Sequence, residues 1–221
     1  MSRAQQVAVI GLGRFGTSMC AQLEGEGVEV LAVDLDEKRV SDHSGIATHV
    51  VQGDSTDERV LEELDIASFD TVVVAIGENL QASILTALLV KQAGATNIWA
   101  KAHSEYHAKV LDLVGVDRVV QPERDMGQRI ARLLASESML DFIDLDDNHS
   151  LVELLAGRGI IGRTLRELDV RAKYGCTIVG YRRADVVIIS PDPDYRIEEG
   201  DILFVIGATD GIAEFERQAA R

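Results

Sequence analysis

The chain has 221 residues, 46% of them apolar, and a near-neutral mean hydropathy of +0.05, which suits one large domain or two small ones with a sizeable core. Its net charge is −15 and neither half holds a basic run. Nucleic acid is therefore excluded as a partner, since binding it rests on neutralising phosphates, and no apolar stretch is long enough to span a bilayer.

In chain order, strands are predicted at residues 6–10, 28–33, 48–51, 71–76, 97–101 and 118–121. Helical patterns fill the gaps at 15–24, 37–44, 57–64, 80–93 and 105–114. The run Thr71-Val72-Val73-Val74-Ala75-Ile76 is apolar on both faces, as a central parallel strand requires. Ser55-Thr56-Asp57-Glu58 predicts a capping box before the third helix, and Gly94 and Gly115 sit where helices should stop. Strands joined by helical crossovers predict a Rossmann-like, doubly wound parallel sheet in the order 3-2-1-4-5-6.

Pro122 opens a helix predicted to run to about residue 140, with Met126, Ile130, Leu133 and Leu134 at helical spacing. The pattern then changes. A strand is expected at 151–156, then a short helix over 164–173 behind a second capping box, Thr164-Leu165-Arg166-Glu167. A hairpin follows at 176–181 and 185–189 with Arg182-Arg183-Ala184 in its turn, then a strand at 202–206 and a helix at 211–218. The expected organisation is an α/β domain over 1–122, a connecting helix over 123–140 and a small α+β domain over 141–221.

The chemistry begins where the first strand ends, in Gly11-Leu12-Gly13-Arg14-Phe15-Gly16. This G-x-G-x-x-G lies between a strand and a helix, and Asp34 ends the second strand 18 residues after its last glycine. In the dinucleotide fingerprint Gly11 permits the tight turn, Gly13 lets backbone approach a pyrophosphate, and Gly16 lets helix pack on strand. Asp34 would accept hydrogen bonds from ribose hydroxyls and repel a 2′-phosphate. Arg14 is a cation inside the loop: either it contacts phosphate, on its own ligand or a neighbour's, or it is a solvated surface arginine.

A dehydrogenase on this fold would need a proton-transfer group near the nicotinamide, and none is evident. His149 is the only histidine of the second domain and sits in a polar turn. His103 and His107 are four apart, but Ser104 reads as the helix N-cap between them, which leaves His103 outside the helix. Cys20 and Cys176 are expected as buried free thiols. The fingerprint begins at residue 7, so no signal peptide is expected before the first strand and a cytoplasmic protein is expected. An oxidoreductase, and a dinucleotide-responsive transcription regulator, are the alternatives; the second would need a basic face, which is missing.

From Val7 to Gly16 the sequence resembles the start of the regulatory subunits of Ktr/Trk-type bacterial potassium uptake systems, built from the regulator-of-conductance-of-potassium (RCK) domain. The resemblance continues through Val30–Asp34, Val73–Gly77, Gln81–Ser83, Asn97–Ala102 and Pro122–Gly127, and in the second half through Val152–Leu155 and Asp169–Ile178. It implies dimers that assemble into an octameric ring on the cytoplasmic face of a potassium-translocating membrane protein. It also implies a non-enzymatic protein in which ATP favours the active state and ADP the inactive one.

Residue by residue, the resemblance implies a nucleotide site of Gly11, Gly13, Arg14, Phe15, Gly16, Asp34, Asp54, Ser55, Ile76, Gly77 and Lys101. Arg14 resembles an arginine that reaches the γ-phosphate held by the partner protomer. The segment Gly53-Asp54-Ser55-Thr56 is similar to one in the Trk branch associated with NAD or NADH, so ATP or ADP and NAD(H) remain the competing ligands. Glu123 resembles a carboxylate that, with its symmetry mate, binds Mg²⁺, Ca²⁺ or Na⁺; the alternative is a helix-start acid favoured by the dipole. Val170, Arg171, Thr177, Ile178 and Pro191 fall where Gram-positive relatives bind cyclic di-AMP, the alternative being a purely structural dimerisation lobe. Thr177 departs there from the asparagine of responsive relatives.

Overall fold

The apolar run at the start of the chain becomes β1 (Gln6–Ile10), and its last four residues are buried because both faces of the strand are covered by helices. Residues 5–221 are described in the computed structural model. They fall into two compact units, one ending at Met126 and the other spanning Gly127–Arg221.

In the first unit β1 pairs in parallel with β2 (Glu29–Asp34) and β4 (Thr71–Val74). β3 (His49–Gln52), β5 (Ile98–Lys101) and β6 (Arg118–Val120) complete a six-stranded parallel sheet in the expected order β3-β2-β1-β4-β5-β6. The connections are α1 (Arg14–Gly25), α2 (Glu37–Asp42), α3 (Glu58–Glu63), α4 (Leu80–Gln92) and α5 (Glu105–Val114), with a 3₁₀ turn over Ile66–Ser68. One core of Ala8, Ile10, Leu31, Val33, Val72 and Ile98 fills one side of the sheet, and another of Val7, Val9, Val30, Ala32 and Val73 fills the other. The alternation along each strand divides its side chains between the two.

The capping box expected at Ser55-Thr56-Asp57-Glu58 does not form. Asp57 caps α3, accepting from the Arg59 N–H, because Ser55 is buried with its hydroxyl 2.8 Å from Thr86 Oγ1. The strand expected over 71–76 ends at Val74, which frees Ile76 and Gly77 to enter the loop before α4.

The helix opened by Pro122, α6 (Pro122–Leu134), stops six residues short of the expected 140, and the connecting helix 123–140 is corrected accordingly. Ser136 Oγ accepts from the amides of Ser138 and Met139, and this local turn competes with the helical ladder. The chain then enters a strand that the sequence reading lacked, β7 (Met139–Asp144), whose Phe142 is buried. β8 (His149–Leu155), β9 (Cys176–Arg183), β10 (Val186–Ile189) and β11 (Ile202–Ala208) complete an antiparallel sheet in the order β10-β9-β11-β8-β7. The second lobe is thus α+β, closed by α9 (Thr209–Ala220).

The single helix expected over 164–173 is two, α7 (Leu165–Leu168) and α8 (Val170–Tyr174), broken at Asp169, which has φ +47°. The box at Thr164 and Glu167 does form. The hairpin turn lies later than expected, at Ala184 and Asp185, because Arg182 and Arg183 pair across the ladder with Val187 and Val186. Arg183 also grips the fully buried Asp201 with Nε at 2.8 Å, while the Tyr195 hydroxyl donates to the same carboxylate at 2.6 Å. This buried carboxylate is satisfied from several directions, as its desolvation demands.

Candidate functional site

The glycine loop lies at the carboxyl end of the parallel sheet. Gly11 has φ +107°, and a Cβ there would sit 3.0 Å from the Ala75 carbonyl carbon. A Cβ on Gly16 would run into the Gly11 carbonyl oxygen, so α1 can approach the loop only because that position is bare. Gly13 differs from both. Its φ is −71° and ψ 179°, and nothing lies within 4 Å of where its Cβ would be. It N-caps α1 without a side chain, so the first amides of this 12-residue helix are presented beside open space.

Asp34, only 8% exposed, accepts the Leu12 N–H on Oδ2 at 2.6 Å and the Asp36 N–H on Oδ1 at 2.8 Å. Each carboxylate oxygen keeps a second acceptor position. The acid expected to meet a ribose therefore also braces the loop.

Phe15 is half-buried on the core beneath the loop, and Lys101 Nζ lies 5.5 Å from the centre of its ring. That ammonium bonds Glu123 Oε1 at 2.6 Å, with side-chain exposures of 12% for Lys101 and 68% for Glu123. A Cβ on Gly77 would come within 3.5 Å of the same nitrogen, so the glycine leaves the lysine its place. The hydrogen bond from Lys101, then its own backbone N–H and the charges of Lys101 and Arg14, hold the Glu123 carboxyl below its usual range. Arg14, exposed at the start of α1, thus acts on the same carboxylate. The fold brings together Arg14, Phe15, Gly77, Lys101 and Glu123 from four separate stretches of sequence.

Other candidates are placed differently. Ile76 is half-buried beside Gly77. Asp54 is exposed, and its Oδ1 accepts from the amide and hydroxyl of Thr56 at 2.9 and 2.6 Å. Of the expected site residues Gly13 and Arg14 line the cleft of about 540 Å³ above the glycine loop, whereas Asp34, Asp54, Ser55, Gly77 and Lys101 are not among its lining residues. That cleft is lined by Gly13, Arg14, Thr17, Arg39, His43 and Glu78, among others. The sequence reading missed Arg39, His43 and Glu78. The available signal was Asp36, whose side chain caps α2 and so places Arg39 in the first turn after Asp34.

Ser104 caps α5 as expected, accepting the His107 N–H. His107 is buried, and its Nδ1 accepts the His103 N–H at 3.3 Å. Among the described residues no group of three His, Cys, Asp or Glu side chains could hold a metal ion. Glu123 alone, already bonded to an ammonium, does not make a cation site within one chain. Both cysteines are free and buried, and burial pushes each thiol up to about 11.

In the second lobe Val170 is packed in the core, whereas Arg171 and Thr177 are exposed and Ile178 is half-buried. Thr177 and Ile178 pair with Ile206 and Val205 of β11. The Ser190 N–H donates to the Val179 carbonyl, which places Pro191 beside β9.

The TrkA-N domain family matches residues 7–122 and the TrkA-C domain family residues 150–220. The chain is 51% identical to Ktr system potassium uptake protein C of Bacillus subtilis, over 97% of both chains. It is 47% identical to Ktr system potassium uptake protein A of the same organism, over 97% of this chain and 96% of that one. Among solved structures it is similar to the GsuK channel, with a TM-score of 0.70 and 21% identity, covering all of this chain and 40% of the channel's. The GsuK channel bound to NAD matches with a TM-score of 0.68 and 20% identity, again over all of this chain and 40% of that one. Within both channels the chain spans less than half the polypeptide, and at such identity the likeness is one of fold. No helix among the described residues is long and apolar enough to cross a membrane. The glycine loop, the six-stranded sheet and the antiparallel second lobe fall inside the two matched segments, and the chain belongs to the TrkA-N/TrkA-C family of RCK proteins, among the regulatory subunits of Ktr potassium uptake systems.

Proposed function

We propose that this subunit senses adenine nucleotides, exchanging ATP for ADP at the glycine loop and passing the difference to a potassium-translocating membrane partner. The observation that carries this reading is the charged cluster at the loop: Lys101 bonded to Glu123, with Arg14 close enough to act on the same carboxylate. Two cations beside free helix amides suit the phosphates of a mononucleotide. Asp34 takes the ribose. Arg14, exposed on the first turn of α1, reaches the γ-phosphate of a nucleotide held by a second copy, so that ATP and ADP favour different dimer geometries. Dimers assemble into an octameric ring at the cytoplasmic face of the membrane. A cation such as Mg²⁺, Ca²⁺ or Na⁺ between two Glu123 carboxylates would have to displace Lys101 from them.

NAD(H) is the second reading. It is favoured by Asp34, which suits an unsubstituted ribose, and it shares the adenosine half. Calorimetric titration of nucleotide-stripped protein with ATP, ADP, NAD and NADH separates the two. Micromolar ATP and ADP with weak NAD(H) is the expected result. Tight NAD(H) with little ATP overturns the ATP/ADP assignment, and turnover of a small substrate with NADH would make the protein an oxidoreductase.

A further inference from the structure

We infer that Arg39 is a binding residue for the adenosine half of the ligand, its guanidinium covering ribose and base while the phosphates are left to the glycine loop and Arg14. This deepens the nucleotide-binding reading and rests on it. Arg39 stands in the first turn of α2, whose start is set by Asp36: that carboxylate accepts the Lys38 N–H at 2.8 Å and the Arg39 N–H at 3.4 Å. The guanidinium lies 3.7 Å from Asp34 Oδ2, 3.8 Å from Asp36 Oδ2 and 3.8 Å from Glu78 Oε2. All three distances exceed hydrogen-bond length, so the group is drawn toward three carboxylates and locked to none. Its side chain is 41% exposed.

The placement follows from the sheet order. Asp34 ends β2, Glu78 follows β4, and β1 with its glycine loop lies between those strands. Arg39 therefore reaches from the ribose acid to the far wall of the crevice in which a doubly wound sheet takes its ligand. Glu78 is almost fully exposed, so this tether is weak and yields to a ligand.

Charge identifies what the guanidinium faces. Three carboxylates surround one cation, and the excess of negative charge opposes a phosphate at this end. A 2′-phosphate is excluded on that ground, which makes the ribose an unsubstituted one. The partner left for Arg39 is uncharged: ribose hydroxyls and the adenine face, on which a weakly hydrated, planar guanidinium stacks well. A lysine would carry the charge without the plane.

The test is calorimetric titration of wild type, R39A and R39K with ATP, ADP, NAD and NADP, with ligand-free melting as the control for folding. R39A should weaken every adenine nucleotide that the wild type binds by about tenfold and to the same extent, and R39K should not restore it. NADP should bind the wild type more weakly than NAD or not at all. The inference is overturned if R39A stays within twofold of wild type, if its loss is larger for ATP than for ADP, or if R39K restores full affinity. A wild type that binds no adenine nucleotide defeats the nucleotide-binding reading itself, and this inference with it.

Discussion

Lys101 Nζ and Glu123 Oε1 lie 2.6 Å apart, a bond that ties the end of β5 to the first turn of α6 beside the glycine loop. The lysine is nearly buried and the glutamate is largely exposed, so the pair is anchored at one end. K101M should let the Glu123 carboxyl rise toward its usual 4.5, read by side-chain NMR titration. The folded-state value is lowered, so the tie contributes above about 4.5 and is lost as pH falls through the lowered value. An unchanged titration in K101M would assign the depression to the helix start instead.

Gly13 and Gly16 should part company on mutation. Gly16→Ala drives a methyl group into the Gly11 carbonyl oxygen and should destabilise the fold by about 1–3 kcal/mol or more. Gly13→Ala meets open space at an ordinary φ, so its melting temperature should stay near wild type. Its nucleotide affinity should fall at least tenfold if phosphate approaches that backbone. Paired thermal melts with and without ATP measure both, and a G13A protein that binds ATP normally places the phosphates elsewhere.

Arg14→Ala should narrow the gap between ATP and ADP. A ligand at a hundredfold excess over Kd stabilises by about 2.7 kcal/mol, and affinity differences appear as differences in that shift. Wild type should be stabilised more by ATP than by ADP, and R14A nearly equally by the two. Differential scanning fluorimetry over a ligand series reads this directly; an intact gap in R14A removes the arginine from γ-phosphate sensing.

His107 should make the first unit acid-sensitive. Burial, and then the neighbouring His103, lower its pKa below the usual 6.5, so the folded chain takes up a proton there less readily than the unfolded one. Its contribution is present above about 6.5 and is lost as pH falls through its folded value. Urea midpoints should drop from about pH 7.5 to 5.5 in wild type and drop less in His107→Asn, whose side-chain oxygen can still accept from the His103 N–H. Equal drops in both proteins would locate the acid sensitivity elsewhere.

Cyclic di-AMP remains a proposed ligand of the second lobe, and Arg171, exposed on α8, is its phosphate-binding candidate. Binding followed by calorimetry should fall at least tenfold in R171A. Wild-type protein that gives no heat with cyclic di-AMP leaves this lobe a structural one.

The first unit was legible because its signals are local. Residues 72–74 are apolar on both faces wherever they are read, and G-x-G-x-x-G followed by Asp34 needs only spacing. What escaped depends on competition or on neighbours in space. β7 was hidden because Leu140, seven residues after Leu133, continues the helical spacing of that face; the break comes from Ser136 capturing two amides, which leaves no mark on hydrophobic period. Ser55 looked like a cap residue until Thr86, 31 residues away, took its hydroxyl. Arg39 and Glu78 acquire meaning only when β2, β1 and β4 stand side by side. Asp201 acquires its role only when Arg183 and Tyr195 close over it.

Because Asp34 holds the Leu12 amide with one oxygen and the Asp36 amide with the other, it is a reporter of the loop's integrity before it is a reporter of any ligand. Replacing it to broaden or redirect ligand choice would slacken the glycine loop in the same stroke. Engineering of selectivity on this scaffold has to proceed from the rim, through residues that bear no part of the loop's weight, and leave the acid at the end of β2 untouched.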